Sequence, residues 1–596
     1  MLINKLIFYF SAGALLLLPA VSSPDISKMT DTKHNLSVSG PGPIKSSTES
    51  RICVFCHTPH SATPATPLWN KELRPQNYTT YENSPTLRTP QPLPQPTGST
   101  KLCLSCHDGT IALGTVASGA NLGLNTSLSP GNPAYFGLDL STHHPVSFAY
   151  SSSLPNPGLV DFGTVKSSLL FEGAGFLQCN TCHDPHDDSR GMFLVMDNRF
   201  SALCLTCHII FNWSGSAHAT SSAPVAGILP VPPKTRPNWS TVAEWGCEVC
   251  HEPHFALAVP LLNYASEEYC LNCHSDMGPF PHAQSLSEQR TGLQKRLKSS
   301  YSAGKGADIK GQMRKRYGHH LQIGGGITPT RPARGRLRVM DGTVKCADCH
   351  NPHTVNRQTA SAPDVSGMTR GVSGVDRDGM QKTFANYEYE LCFKCHEDSI
   401  PRGRRVVESN LRLAFYPGNP SYHPVIEMGK GFNVPSLVSR KESFSADSRL
   451  IYCTDCHRDD SGVSRGPHGS SFPAILGERY ETADHTTESY QSYALCYSCH
   501  DRNSILRDDS FRRARNSKGG HSGHLAAGAP CSACHDPHGV VDDRMSGSHT
   551  HLINFDKRIV SPMPRTADPF FTDTGTFSGS CTLVCHGKTH TNESYP

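Results

Sequence analysis

The sequence predicts a fold of few short α-helices, each at a Cys–His motif, joined mostly by irregular loops. Little β-structure is expected, and something other than side chains must fill the interior. Three observations predict this. The 596 residues are only 37% hydrophobic and 8% aromatic, with 4 Trp against 50 Gly and 45 Pro, where an ordinary globular chain is about 45–50% apolar. All 24 Cys fall into pairs, and each pair is followed at once by His. The motifs recur along the chain in two alternating types, an internal repeat. This pattern excludes a collagen, a coiled coil, a transmembrane bundle and a plain disordered chain.

At the N-terminus, Lys5 precedes an apolar run from Leu6 to Val21, followed by the small residues Ser22 and Ser23. Residues 1–22 therefore read as a cleavable secretory signal. Ser11, Gly13 and Pro19 interrupt the run, which is shorter than the roughly 20 residues a membrane span needs, so an uncleaved anchor is the weaker alternative. No Cys follows until Cys53, so no lipidation site is expected. The protein is expected to be exported, to the periplasm or the outer cell surface.

The motifs begin with Cys53, Cys56, His57; Cys103, Cys106, His107; Cys179, Cys182, His183; Cys204, Cys207, His208; Cys247, Cys250, His251; and Cys270, Cys273, His274. They continue with Cys346, Cys349, His350; Cys392, Cys395, His396; Cys453, Cys456, His457; Cys496, Cys499, His500; Cys531, Cys534, His535; and Cys581, Cys585, His586. Eleven are C-x-x-C-H, the attachment signature of c-type haem. In a helical turn residues i, i+3 and i+4 share a face, so two thiols can bond the haem edge while His reaches the iron. Zinc ribbons need no adjacent His twelve times over, and vicinal redox dithiols would not recur in this way. A secreted disulfide scaffold expects irregular spacing and no companion His. Twelve haems c are expected, eleven at regular motifs. At the C-x-x-x-C-H of the twelfth, His586 would stand about 140° around an ideal helix from Cys581, so the extra residue must bulge, and an empty or unusual site is the alternative.

The first motif type continues as C-x-x-C-H-x-P-H, with trailing histidines His60, His186, His254, His353 and His538. The second carries an apolar collar, as in LCLSCH, LCLTCH and LCFKCH. The twelve motifs thus form six pairs. The fifth is irregular, its trailing His468 arriving only after an insertion. Ahead of the pairs stand His34, His144 (or His143), His218, His320 (or His319), His423 and His524 (or His521). Twelve motif histidines among 32 leave 20, enough to supply a second axial ligand to every iron. A trailing His three residues past an iron-bound His cannot easily reach the far face of the same iron, so it is expected on a neighbouring haem. The alternative is a solvated loop His. His282, His485, His549, His551 and His590 are weaker ligand candidates. Axial Met would raise the potential, but His is abundant near every pair, so low potentials are expected.

Pro-rich stretches such as Pro85 to Pro96 and Pro224 to Pro237 read as loops. Residues 23–289 form a first six-haem half, 290–345 a connector and 346–596 a second half. The connector holds 14 Lys or Arg against Asp308 and Asp341, either compensating haem propionates or forming a docking surface for an anionic partner. The formal charge of +4 omits those propionates. Without Lys5, and with twelve ferric haems each contributing +1 at iron and −2 at its propionates, it becomes about −9.

The alternation of C-x-x-C-H-x-P-H with L-C-x-x-C-H between His34 and His590 resembles the multihaem cytochromes c with paired C-x-x-C-H modules. The resemblance implies long-range electron transfer in the periplasm or on the outer surface of metal-respiring bacteria. Partners of that kind are other redox proteins, an outer-membrane porin or copies of the chain in a filament, with a metal or mineral as terminal acceptor; no nucleic acid is expected. The missing lipidation Cys, the His457–His468 segment and the twelfth motif depart from that pattern. The leading expectation is a non-enzymatic relay of bis-His haems. Its rival is a multihaem reductase with one haem open to a small inorganic substrate; against it, no motif ends in Lys.

Overall fold

The computed structural model describes residues 26–63, 68–82, 84, 86–225, 239–263, 267–275, 308–319, 344–396, 410–430, 434–438, 450–512, 519–541 and 547–595. The signal segment, His282, His320, most of the basic connector and most of the Pro224 to Pro237 stretch lie outside the described residues.

Regular structure is short and scattered. Among the described residues the longest helices are α1 (Gly98–His107), α2 (Glu388–His396) and α3 (Gly520–Ala526). The first two end at second-type motifs, whose apolar collars are their packing faces. Leu102 and Leu104 are buried in α1, and Tyr389, Leu391 and Phe393 in α2. First-type motifs occupy single helical turns, as at Cys53–Phe55, Cys179–Cys182, Cys453–Cys456 and Cys531–Ala533. At His57, His183, His208, His251, His274, His350, His457, His500 and His535 the backbone N–H donates to the carbonyl of the motif's first Cys, at 2.8–3.0 Å. That bond closes an α-turn, which brings both thiols and the imidazole to one side.

The twelfth motif departs from the expected bulged helix. It lies on a strand of a four-stranded antiparallel sheet made of β1 (Val560–Ser561), β2 (Phe570–Gly575), β3 (Ser578–Cys585) and β4 (Lys588–Tyr595), in which β3 pairs with the other three. The physical reason is local. Thr582 and Val584 are β-branched and favour a strand, and His586 and Gly587 have φ of 50° and 72°. Two successive left-handed residues between paired Cys585 and Lys588 make a two-residue hairpin turn whose twist matches the strands.

The apolar core is divided among small clusters. One gathers Val375, Tyr389, Phe393, Phe415, Val425 and Ile426; another Ala529, Ala533, Val560 and Leu583. One cavity of about 4010 Å³ runs from the fifth and sixth motifs through the C-terminal half, lined between Gly215 and Tyr595 by motif Cys and His residues from Cys250 to His586. No helix among the described residues is long and apolar enough to cross a membrane.

Candidate haem sites

Ten motif histidines face a second imidazole across a gap of nearly constant width. The ring centroids are 6.3 Å apart for His57 and His186, 6.1 Å for His107 and His34, 6.0 Å for His183 and His254, 6.2 Å for His208 and His144, and 6.1 Å for His251 and His353. They are 6.5 Å apart for His274 and His218, 6.0 Å for His350 and His468, 6.4 Å for His396 and His319, 5.9 Å for His457 and His538, and 6.3 Å for His535 and His521. A metal–imidazole bond of about 2 Å on each side, plus about 1.1 Å from each nitrogen to its ring centroid, requires about 6.2 Å. These residues therefore fit a six-coordinate haem iron. At the tenth motif His423 lowers the proton affinity of His500 electrostatically, which makes it the neighbouring imidazole there.

After the first motif, the trailing His of each first-type motif crosses to the motif His two motifs earlier: His186 to His57, His254 to His183, His353 to His251, His468 to His350 and His538 to His457. The Pro beside it holds the other ligand of the same preceding pair. The carbonyls of Pro185, Pro352 and Pro467 accept from Nδ1 of His34, His218 and His319 at 2.9, 2.9 and 3.0 Å. Pro537 does the same for His423, and Pro253 accepts the backbone N–H of His144 at 2.8 Å. Each of these five tails thus reaches both haem positions of the pair before it. With Nδ1 held by a carbonyl, Nε2 becomes the coordinating nitrogen. The motif histidines follow the same rule, with Nδ1 bonded to the carbonyls of Ala134 (His107), Met192 (His183), Pro260 (His251), Met368 (His350), Ala474 (His457) and His551 (His535), at 2.8–3.0 Å.

Burial sets the electrostatics. It pushes the imidazoles of His34, His208, His353, His468, His500 and His538 down to about 4, so they are neutral near pH 7, the form that ligates. It pushes the thiols of Cys56, Cys182, Cys250, Cys349 and Cys534 up to about 12. The thiol of the first Cys of a second-type motif also lies beside that of the first Cys of the next motif, pairing Cys103 with Cys179, Cys204 with Cys247, Cys270 with Cys346, Cys392 with Cys453 and Cys496 with Cys531. Successive attachment sites are therefore spatial neighbours across these five steps.

Three placements were not readable from the motifs. His319 faces His396, while His320 lies outside the described residues. His521 faces His535, and His524, on the same helix α3, faces His590 instead, at 6.2 Å. His60 is exposed, and among the described residues it joins no ring pair.

A c-type haem is what these residues are built to hold: paired thiols on one turn, an imidazole beside them and a second imidazole one coordination distance beyond. The family matches of the chain are to multihaem c-type cytochromes. Residues 171–275 match the cytochrome c3 family, and residues 446–504 match the doubled CXXCH motif, which includes the irregular fifth pair. Over 181 residues the chain is 25% identical to the multiheme cytochrome MtrA of Shewanella baltica (strain OS185). That stretch covers 28% of this chain and 52% of the relative, so the chain spans about half the length of the curated relative it matches.

Proposed function

We propose that this chain is a dodecahaem electron carrier that moves single electrons over a long range through closely spaced bis-His sites. The observation that carries the reading is the constant 5.9–6.5 Å ring spacing, by which two imidazoles would hold each haem iron at ten motifs and leave substrate no place on it. A haem iron held this way supplies one-electron ferric/ferrous chemistry. The protein's part is to fix the rings, keep them neutral and hold neighbouring attachment sites together.

The reading extends to an exported protein working in the periplasm or at the outer surface, handing electrons to other redox proteins. An outer-membrane porin, further copies of the chain and a terminal metal or mineral are its proposed contacts there. A second reading, reduction of a small inorganic molecule at one open haem, is favoured by a single observation. Among the described residues His586 faces no imidazole at the coordination spacing, since His485 lies at only 4.7 Å. Haem stoichiometry from intact mass, combined with a reductive titration, tests the proposal. Twelve haems taking up twelve electrons without substrate is expected; fewer haems, or turnover of an added oxyanion at a saturable site, contradicts it.

A further inference from the structure

The haem held by Cys581 and Cys585 is the one whose ligands the motif does not identify. We propose that its iron is ligated by His590 and His524, and that the motif histidine His586 stays off the iron. This rests on the reading above that a haem is attached to those two thiols.

Strand register provides the first argument. Cys581, Leu583 and Cys585 alternate along β3 and share a face. Opposite them on β4 stand Glu593, His590 and Lys588, with a register shift between the Cys581 and Leu583 pairings. Residues directly opposite on an antiparallel pair point to the same side, so His590 shares the face that carries both thiols. The extra residue on β4 explains how His590 and Glu593, three apart, both point there. That face packs on Ala529, Ala533 and Cys534, just past the C-terminus of α3, the helix of His524.

Ring geometry provides the second. His524 and His590 are 6.2 Å apart with planes 30° apart, the spacing of the ten motif pairs, although neither is a motif histidine. Both have Nδ1 engaged and Nε2 left to coordinate: His524 Nδ1 bonds the Gly520 carbonyl at 2.7 Å, and His590 Nδ1 bonds the Glu593 carboxylate at 2.8 Å. A carboxylate behind the ring orients a metal-bound imidazole and raises its basicity. His590 is 8% exposed.

His586 shows the reverse on every count. It occupies the left-handed hairpin turn, its Nε2 bonds Asp484 Oδ1 at 2.7 Å, and its ring stacks on His485 at 4.7 Å, too close to admit an iron between them. The helix α3 completes the logic of the sixth pair. His521 and His524, three residues apart on that helix, face His535 and His590, one at each motif of the pair.

The test uses the oxidised full-length holoprotein, with EPR quantifying high-spin ferric haem and mass spectrometry of the peptide spanning Cys581 to Cys585 reporting attachment. His590→Ala and His524→Ala are each expected to keep the haem on that peptide and raise the high-spin signal from none to one equivalent per chain, reversed by imidazole. His586→Ala and Asp484→Asn are expected to leave every attached haem low-spin. Attached haem that stays fully low-spin in His590→Ala or His524→Ala overturns the proposal, as does a high-spin equivalent in His586→Ala. If His586→Ala loses that haem during attachment, the His590 and His524 variants decide. A wild-type peptide without haem overturns the attachment reading itself, and is distinguished from the other outcomes by mass.

Discussion

Replacing His353 by Ala should open the haem attached to Cys247 and Cys250, more than a hundred residues upstream, and not the one attached to the neighbouring Cys346 and Cys349. The rings of His353 and His251 are 6.1 Å apart with planes 18° apart. Removing about 1.1 Å at each end leaves about 4 Å between the coordinating nitrogens, room for two metal–imidazole bonds of about 2 Å. Ala removes one nitrogen and leaves a hole the size of the lost ring, so free imidazole should refill it. In the oxidised holoprotein one haem equivalent, about one twelfth of the total, should turn high-spin in EPR and return to low-spin with imidazole. Combination with His251→Ala should still affect one site, whereas combination with His350→Ala should affect two. A silent His353→Ala variant, or a double variant with His350→Ala that affects only one site, refutes the cross-motif assignment.

Further outcomes follow from the same geometry. His319→Ala should open the haem at Cys392 and Cys395, seen as one high-spin equivalent that imidazole reverses, because His319 is the ring 6.4 Å from His396. Phe393→Ala empties a site 1% exposed in the cluster of Tyr389, Phe415 and Val425 and should destabilise the holoprotein by about 3–5 kcal/mol in denaturant unfolding. Burial raises the Glu388 carboxyl to about 7, against the hydrogen bonds from Thr454 that oppose it. Its folded value lies above its unfolded one, so its contribution is complete below about pH 4.5 and is lost as the pH rises through about 7. Glu388→Gln should therefore flatten the stability profile between pH 4.5 and 8 by about 2 kcal/mol, allowing for the group's partial exposure; an unchanged profile contradicts this.

What the sequence made legible was the local chemistry. Cys at i and i+3 with His at i+4 is a single α-turn, and nine of these turns carry the expected His-to-Cys bond. The LC collars of α1 and α2 announced their own packing. The long-range pairing was not legible, because nothing near His353 or His468 indicates that each faces the motif His two motifs back, and the Pro carbonyls that hold His34, His218 and His319 are backbone groups without a sequence signature. His521 and His524 lie one helical turn apart, so spacing could not divide them between His535 and His590. The twelfth motif did carry a signal. Thr582 and Val584 between the cysteines, with the His586–Gly587 dipeptide after them, spell a strand and a tight turn, but the expectation of a helical turn at every motif overrode it.

The most direct test of the relay is EPR of the purified, fully oxidised holoprotein, with high-spin ferric haem measured against total haem. Paired imidazoles at every iron predict low-spin signals throughout, unchanged by nitrite or another small ligand. One full high-spin equivalent that shifts when such a ligand is added would contradict the relay and identify a reductase.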